Sequence, residues 1–573
     1  MLQVKINNEH VMLYPGASLK YMYNSSAFSD KAFIGDFSYP ISFPDNESNA
    51  LVFGFVSNPD LYNEVTEHSC DLYENNTLFK SGIFKVTSAK KGVKISGNFI
   101  NSSYDFINRI KNKTTKDIDL GGDHEFDTSA DLDVYIVALQ SGSYPTYKFA
   151  QFPILNEIYM DGTQEETTWE SIKYINPYNP GGNDVYYPYL AYIIEQLFAE
   201  FGFRVEDVVG SHDELKKLCL IGMHEDKHVW EYTGYNLHYH VLKVDLTYLL
   251  DAIKSTLGVA YFFDNNGNNV KMKFLKDLLI PGNYVDWSDK VEGSPIKKID
   301  KTGDGFMLSH SFDSSDETMS EMQLPTEILE NVVKEDPVLT PADLPISANV
   351  GIPEGEIRYV ICEEMYYISI RYGYNDSRWV RLSWTYFEKI IGDGLVEKPS
   401  QLTTLGMHWH LKKAGSAINN WMTPHSDQTL LKNPLTGTMA LLGPGNLNYD
   451  LVKPVVNDFE PRVLFFRNMQ PDVADRLYPF GTSGIYNAKG EVVGTLSLNW
   501  DGENGLYANL WKPWLDFLDK GIPYEWSINL ELIDLLKLDT SKQVKIGSNY
   551  YLIKSLAVDL PLEKAATVTM VRI

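Results

Sequence analysis

From Pro523 onward the chain reads as short β-strands carried to its final residue, and no other pattern in it limits the fold as tightly. PYEWSINLE at 523–531 places apolar residues at alternate positions, and 567–573 alternates as Thr-Val-Thr-Met-Val-Arg-Ile. Between them, Val544-Lys545-Ile546 and residues 550–556 flank Gly547-Ser548-Asn549. Period-two alternation broken by Gly, Asn and Ser is how a hairpin with one buried face is written. A strand that reaches the last residue predicts a docked end, because undocked ends fray. None of these strands carries an evident catalytic side chain.

At 573 residues the chain exceeds a single core, and three or four domains are expected. Tyrosine is abundant, with 36 residues against 27 Phe. Its ring buries area while its hydroxyl stays wet, which suits contact surfaces, and an edge-rich β protein favours it equally. A formal charge of -26 argues against phosphate neutralisation and so against general nucleic-acid binding. The same field suits a conduit that DNA crosses without sticking, although acidity that merely keeps a protein dissolved is the plainer reading. Cys70, Cys219 and Cys362 are distant and odd in number, which disfavours a disulfide framework or a thiolate metal site and suits a reducing cytoplasm. The N-terminal sequence lacks the basic-then-apolar order of a secretion signal, and no apolar run reaches the length of a membrane span.

Along the chain the pattern predicts an α+β, mostly β, multidomain protein. Residues 1–154 read as a β domain, with strands at 2–6, 50–55, 77–84, 93–99, 133–140 and 147–154 and one helix at 104–111. Residues 155–290 read as α/β. There, 189–201 carries Leu190, Ile193, Ile194, Leu197 and Phe198 at helical spacing, with Pro188 before it and Gly202 after it. Further helices are expected at 211–220 and at 246–257, the latter between Asp245 and Gly258. A hairpin follows across 264–267. Residues 291–394 return to β, 395–490 read as a loop-rich insertion with strand candidates at 439–442 and 463–466, and 491–573 hold one helix and the terminal strands.

Several motifs touch on chemistry. His224-Glu225-Asp226-Lys227-His228 matches HExxH, which on a helix turns two imidazoles to one side for zinc with Glu as base. Asp226, Lys227 and the preceding Gly222 suit an exposed turn better. His408 and His410 share one side of a strand without acids at compatible positions, so a half-exposed face is favoured over a metal site. GGDHEF at 121–126, Gly303-Asp304-Gly305 and DGENG at 501–505 read as turns, the last two lacking the spaced acids of a calcium loop. Trp500, Trp511, Trp514 and Trp526 could stack on glycan if exposed, and packing is the better reading. No nucleophile elbow, phosphate loop or dinucleotide fingerprint occurs. The expectation is a structural protein, not an enzyme, with no cofactor and no metal.

Four stretches together resemble the tail or baseplate hub proteins of tailed phages, especially those of Bacteroidetes phages and prophages. They are FSYPISFP at 37–44 leading to LFKSGIFKVTSAKKGVKISGNF at 78–99, YYPYLAYIIEQLFAEFGF at 186–203, LKVDLTYLLDAIKSTLGVAYFFDNNGNNVKMKF at 242–274, and the run from Leu477-Tyr478-Pro479-Phe480 through SLNWDGENGLYANLWKPWLDFL to the end. The resemblance implies two barrel-like domains per chain, bracketing the α/β domain. Three chains would then form a ring joining a sixfold tail tube to a threefold tip, with genomic DNA passing through. The implied partners are a second and third copy, the tail tube or distal tail protein, and a spike, fibre or tape-measure terminus. The implied location is the distal tail of a virion assembled in the bacterial host cytoplasm, within the apparatus of host attachment and genome ejection. Residues of the last strands, Tyr524, Trp526, Val568, Met570 and Val571, are the interface candidates. Two alternatives stand: the hub of a contractile injection system, and a zinc-dependent hydrolase built on His224, Glu225 and His228.

Overall fold

The computed structural model describes residues 1–155 except 34–35, 61–64, 122 and 153; then 174–175, 186–221, 234–236, 241 and 243–298 except 265–268. Short pieces between 306 and 424 follow, and then 462–573 except 472–476, 488 and 501.

Strands and turns dominate. The longest hairpin joins Thr77–Lys90 to Lys94–Asn101, with Lys90 opposite Lys94 and Gly92 in the left-handed conformation (φ 69°) at its turn. Its strands belong to a 14-stranded sheet, to which Leu2–Ile6, Leu19–Asn24, Ile41–Pro44 and Glu67–Glu74 also contribute. The burial alternation of Leu2–Ile6 shows why: Leu2, Val4 and Ile6 are buried and the residues between them half-buried.

The terminal strands expected from sequence complete the same sheet. Pro523–Ile528 pairs with Ala566–Arg572, which pairs with Asn549–Leu560. Gln543–Ile546 returns through Gly547 (φ 60°) onto Asn549–Leu560. One antiparallel pair then unites the two ends of the chain: Leu19 lies opposite Leu560 and Asn24 opposite Ser555. One apolar core accordingly holds Val4, Tyr21, Phe43, Phe84 and Phe99 together with Trp526, Leu556, Val558, Val568 and Met570.

A second core is built on helices. Leu190–Glu200 buries seven of its residues on several sides, as an interior helix does. Leu246–Leu257 begins where the Asp245 carboxylate accepts from Tyr248 N at 2.9 Å and stops at Gly258 (φ 61°), as its caps predict. The hairpin Val259–Phe263 with Asn269–Phe274 packs beside them. Strand Arg462–Pro471 joins this core through Val463, Leu464, Phe465 and Phe466, pairing antiparallel with Leu218–Ile221. The strand expected at 463–466 is therefore present, as part of the longer Arg462–Pro471.

Three assignments are corrected. Residues 50–55 are not a strand: Glu47–Val52 is a short helix, because Asn46 Oδ1 accepts from Asn49 N at 2.8 Å and caps it. Residues 133–140 lie in the helix Ser129–Ser141, where Thr128 Oγ1 accepts from Asp131 N and the cap prevails over the β-branched residues. Residues 211–220 give only a turn of helix at Val208–Ser211 and a 3₁₀ turn at Leu215–Lys217 before the strand Leu218–Ile221, whose pairing with Arg462–Pro471 prevails over local helix propensity. The protein is mostly β, with several sheets and more than one core. The strand order of the large sheet is an open path, so no closed barrel is present among the described residues.

Beside the pair that unites the chain ends, Asp36 is half-buried. Burial lifts its carboxyl to about 6, against the partial offset of the Lys80 ammonium and of hydrogen bonds from Asn24 N and Asn101 Nδ2, both at 3.1 Å. Tyr21 and Tyr23, facing it, are pushed well above the usual phenol range, first by burial and then by Asp36 itself. A carboxyl whose folded pKa is raised favours folding most below its unfolded value. That contribution is lost as pH rises through about 6. The difference of about two pKa steps corresponds to on the order of 3 kcal/mol. Asp36→Asn is therefore expected to flatten the fall in stability between pH 4.5 and 7, measured by urea unfolding at both values. Equal pH slopes for variant and wild type would exclude this role for Asp36.

Candidate functional site

The described residues show no catalytic constellation, and no three His, Cys, Asp or Glu side chains gather among them as metal ligands. His224, Glu225 and His228 lie outside the described residues, as do His408 and residues 303–305. His410 falls in the short strand His410–Lys412. The 121–126 segment, read as a turn, is in part a strand, since Asp123–Glu125 pairs antiparallel with Gly234–Asn236. Gly502 (φ 87°) sits in a turn closed by Gly505 N to Gly502 O at 3.2 Å. Trp500, Trp511, Trp514 and Trp526 are all buried, which agrees with packing.

What the sheet leaves open is its margins, and a margin is where another chain can add hydrogen bonds. At one end of the strand order, Glu9–His10 is fully exposed and pairs only with Leu2–Ile6, through a turn with Asn7 and Asn8 at positive φ. At the other end, Val291–Lys297 pairs with Pro523–Ile528 alone. This strand is exposed over most of its length, with Ile296 59% accessible. Gly293 (φ 74°) lies within an irregularity of register between Glu292 and Ile296, and Pro295 removes a donor. Such devices discourage indiscriminate pairing while leaving side chains available. A third margin is Tyr284–Asp286, parallel to Gln543–Ile546 and exposed throughout. There Lys545 Nζ pairs with Asp286 at 3.3 Å and lies 5.5 Å above the Tyr284 ring.

The five interface candidates sit close to the second margin, mostly facing inward. Trp526 stands opposite Val568 and Tyr524 opposite Met570. Trp526, Val568 and Met570 enter the core shared by the two chain ends, and Val571, on the other face, enters the helical core. Tyr524 alone is half-buried, packing edge-on against Tyr551 with ring centres 6.1 Å apart. The sequence missed the margin strand Val291–Lys297 itself, whose Gly and Pro hide any alternation.

No protein-family model matches this sequence, and no curated protein matches it. Among solved structures, the 43 kDa tail protein of prophage MuSo2 from Shewanella oneidensis aligns at 8% identity and a TM-score of 0.32, covering 100% of this chain and 96% of its own. The tail protein from Neisseria meningitidis MC58 aligns at 7% identity and a TM-score of 0.26, covering 100% of this chain and 95% of its own. At scores this low nothing carries over from those proteins to this one.

Proposed function

We propose that this chain is a structural component of a phage tail: a hub whose three copies form a ring between the tail tube and the tail tip, wide enough for DNA to pass. The reading rests on the four sequence stretches that resemble tail hub proteins. The structural observation that carries it is a single sheet assembled from both ends of the chain, with an exposed margin on each part. Residues 2–101 supply one part, and 284–297 with 523–572 supply the other. Two β modules per chain, three chains per ring, present six similar units to a sixfold tube and three identical ones to a threefold tip. A heterologous contact between unlike margins closes into a ring when its rotation divides the circle.

No nucleophile or metal enters this function. The acidic surface, formal charge -26, would keep a passing polyanion from adhering. The test is the mass and symmetry of the purified full chain, by native mass spectrometry and electron microscopy. A trimeric mass with threefold rings is expected, and a protein that stays monomeric at high micromolar concentration refutes the reading.

A further inference from the structure

Near one margin of the large sheet stands an apolar knob. The helix Glu47–Val52 is tied to the Glu9–His10 turn by Asn7 Nδ2 to Val52 O at 3.2 Å and by Met12 N to Asn49 Oδ1 at 2.8 Å. It presents Leu51, 68% exposed, one turn from the exposed Glu47, and Phe55, 43% exposed, follows immediately. Phe53 beneath anchors the knob in the core, so Leu51 and Phe55 project from a firm base. Between Lys31 and Lys80 the sequence holds no lysine or arginine, and Asp60 is exposed just beyond Phe55. Lys91, on the neighbouring hairpin, has its Nζ bound to Asn58 Oδ1 at 3.1 Å.

Near the opposite margin lies a complementary groove of about 430 Å³, floored by Leu279, Phe517, Ile522 and Tyr524. Lys520 and Arg572 stand at its rim, both exposed. Asp516, also at the groove, is paired with Lys512 at 3.4 Å, which leaves the rim cationic. Tyr524 belongs to the strand that supports Val291–Lys297, the margin itself.

We propose that the Leu51–Phe55 knob of one copy seats in the Lys520–Arg572 groove of the next. Apolar side chains enter the floor while Glu47 and Asp60 meet the two cations. Knob and groove lie toward opposite ends of one sheet's strand order, as a head-to-tail contact between identical chains requires. The occupant is a second copy because an acidic, apolar projection matching this cationic, apolar recess is already present on the same chain. This contact rests on the ring proposed above and specifies one of its interfaces.

The test compares association of the full-length wild type with three variants by sedimentation equilibrium: Leu51→Asp, Lys520→Glu with Arg572→Glu, and the latter pair combined with Glu47→Lys. The first two are expected to weaken association about tenfold or more, and the third to recover part of that loss. Because these side chains are exposed, thermal unfolding of the subunit should be unchanged. As a second measurement, Leu51→Cys and Lys520→Cys proteins are mixed under mild oxidation, and a cross-linked pair is expected. Wild-type association that ignores all these substitutions, with no cross-link, overturns this contact and leaves the ring standing. A wild type that never associates overturns both.

Discussion

Arg467→Ala is expected to destabilise the protein by about 3–5 kcal/mol, the loss typical of breaking a buried ion pair on one side. The guanidinium is fully buried and bonded to the Glu214 carboxylate; its Nη2 also donates to Leu496 O at 2.9 Å and Gly484 O at 3.1 Å. Glu214 in turn accepts from Lys217 Nζ at 2.9 Å and Thr495 N at 3.1 Å. Burial by itself would raise the Glu214 carboxyl. The Arg467 charge and these hydrogen bonds outweigh it and hold the pKa at about 2. A carboxyl depressed in the folded state stabilises above its unfolded pKa, and that stabilisation fades as pH falls through about 2. Without Arg467, burial would dominate and Glu214 would take up a proton at a much higher pH. The deficit of the variant should therefore be larger at pH 7 than at pH 4, and Glu214→Gln added to Arg467→Ala should recover part of it at pH 7. Urea unfolding at the two pH values measures this. A deficit below about 1 kcal/mol at pH 7 would show that the pair is not the pin between Leu215–Lys217 and the 462–498 region that its geometry indicates.

What the sequence disclosed was local. The helix Leu246–Leu257 carries its own beginning in Asp245 and its own end in Gly258, and the hairpins at Gly92 and Gly547 carry their turns, so each could be read from a few neighbouring residues. The helices at 47–52 and 129–141 were also local, but their apolar residues imitate strands and only the side-chain caps at Asn46 and Thr128 distinguish them. The pairing of Leu19–Asn24 with Asn549–Leu560 was not legible, because nothing near residue 20 specifies a partner more than five hundred residues away. The same is true of Glu214 and Arg467. For the candidate site, alternation marked Tyr524, Trp526, Val568, Met570 and Val571 as apolar strand positions without saying whether they faced a core or a contact surface; Trp526, Val568 and Met570 share one core. Val571 shows the limit of period two: the sheet is covered on both sides at that point, so both faces are apolar.

Gly97→Ala, a change of one methyl group, is expected to cost about 3 kcal/mol or more, among the largest effects of any small substitution in this chain. Gly97 lies in a central strand, opposite Val86 on one side and Ile41 on the other. A Cβ there would stand 2.2 Å from Lys85 O and 2.6 Å from the Phe84 ring, closer than any relaxed contact. Phe84 is fully buried among Phe43 and Phe53, with ring centres 5.2 and 5.8 Å away, so it cannot turn aside. The backbone of Thr77–Lys90 would have to move instead, and with it the irregularity of register between Val86 and Ser88. Gly92 in the same hairpin supplies the control. Its φ of 69° makes alanine unfavourable by about 1–2 kcal/mol through backbone conformation alone, while nothing lies within 4 Å of the added methyl. Urea unfolding of the two variants separates the effects: crowding predicts that Gly97→Ala is the worse by a clear margin, and equal losses would mean that the two strands are not held together by this close approach. Because Phe84 shares its core with Phe53 beneath the Leu51 knob, the Gly97 change should also loosen that knob, whereas the Gly92 change should leave it in place.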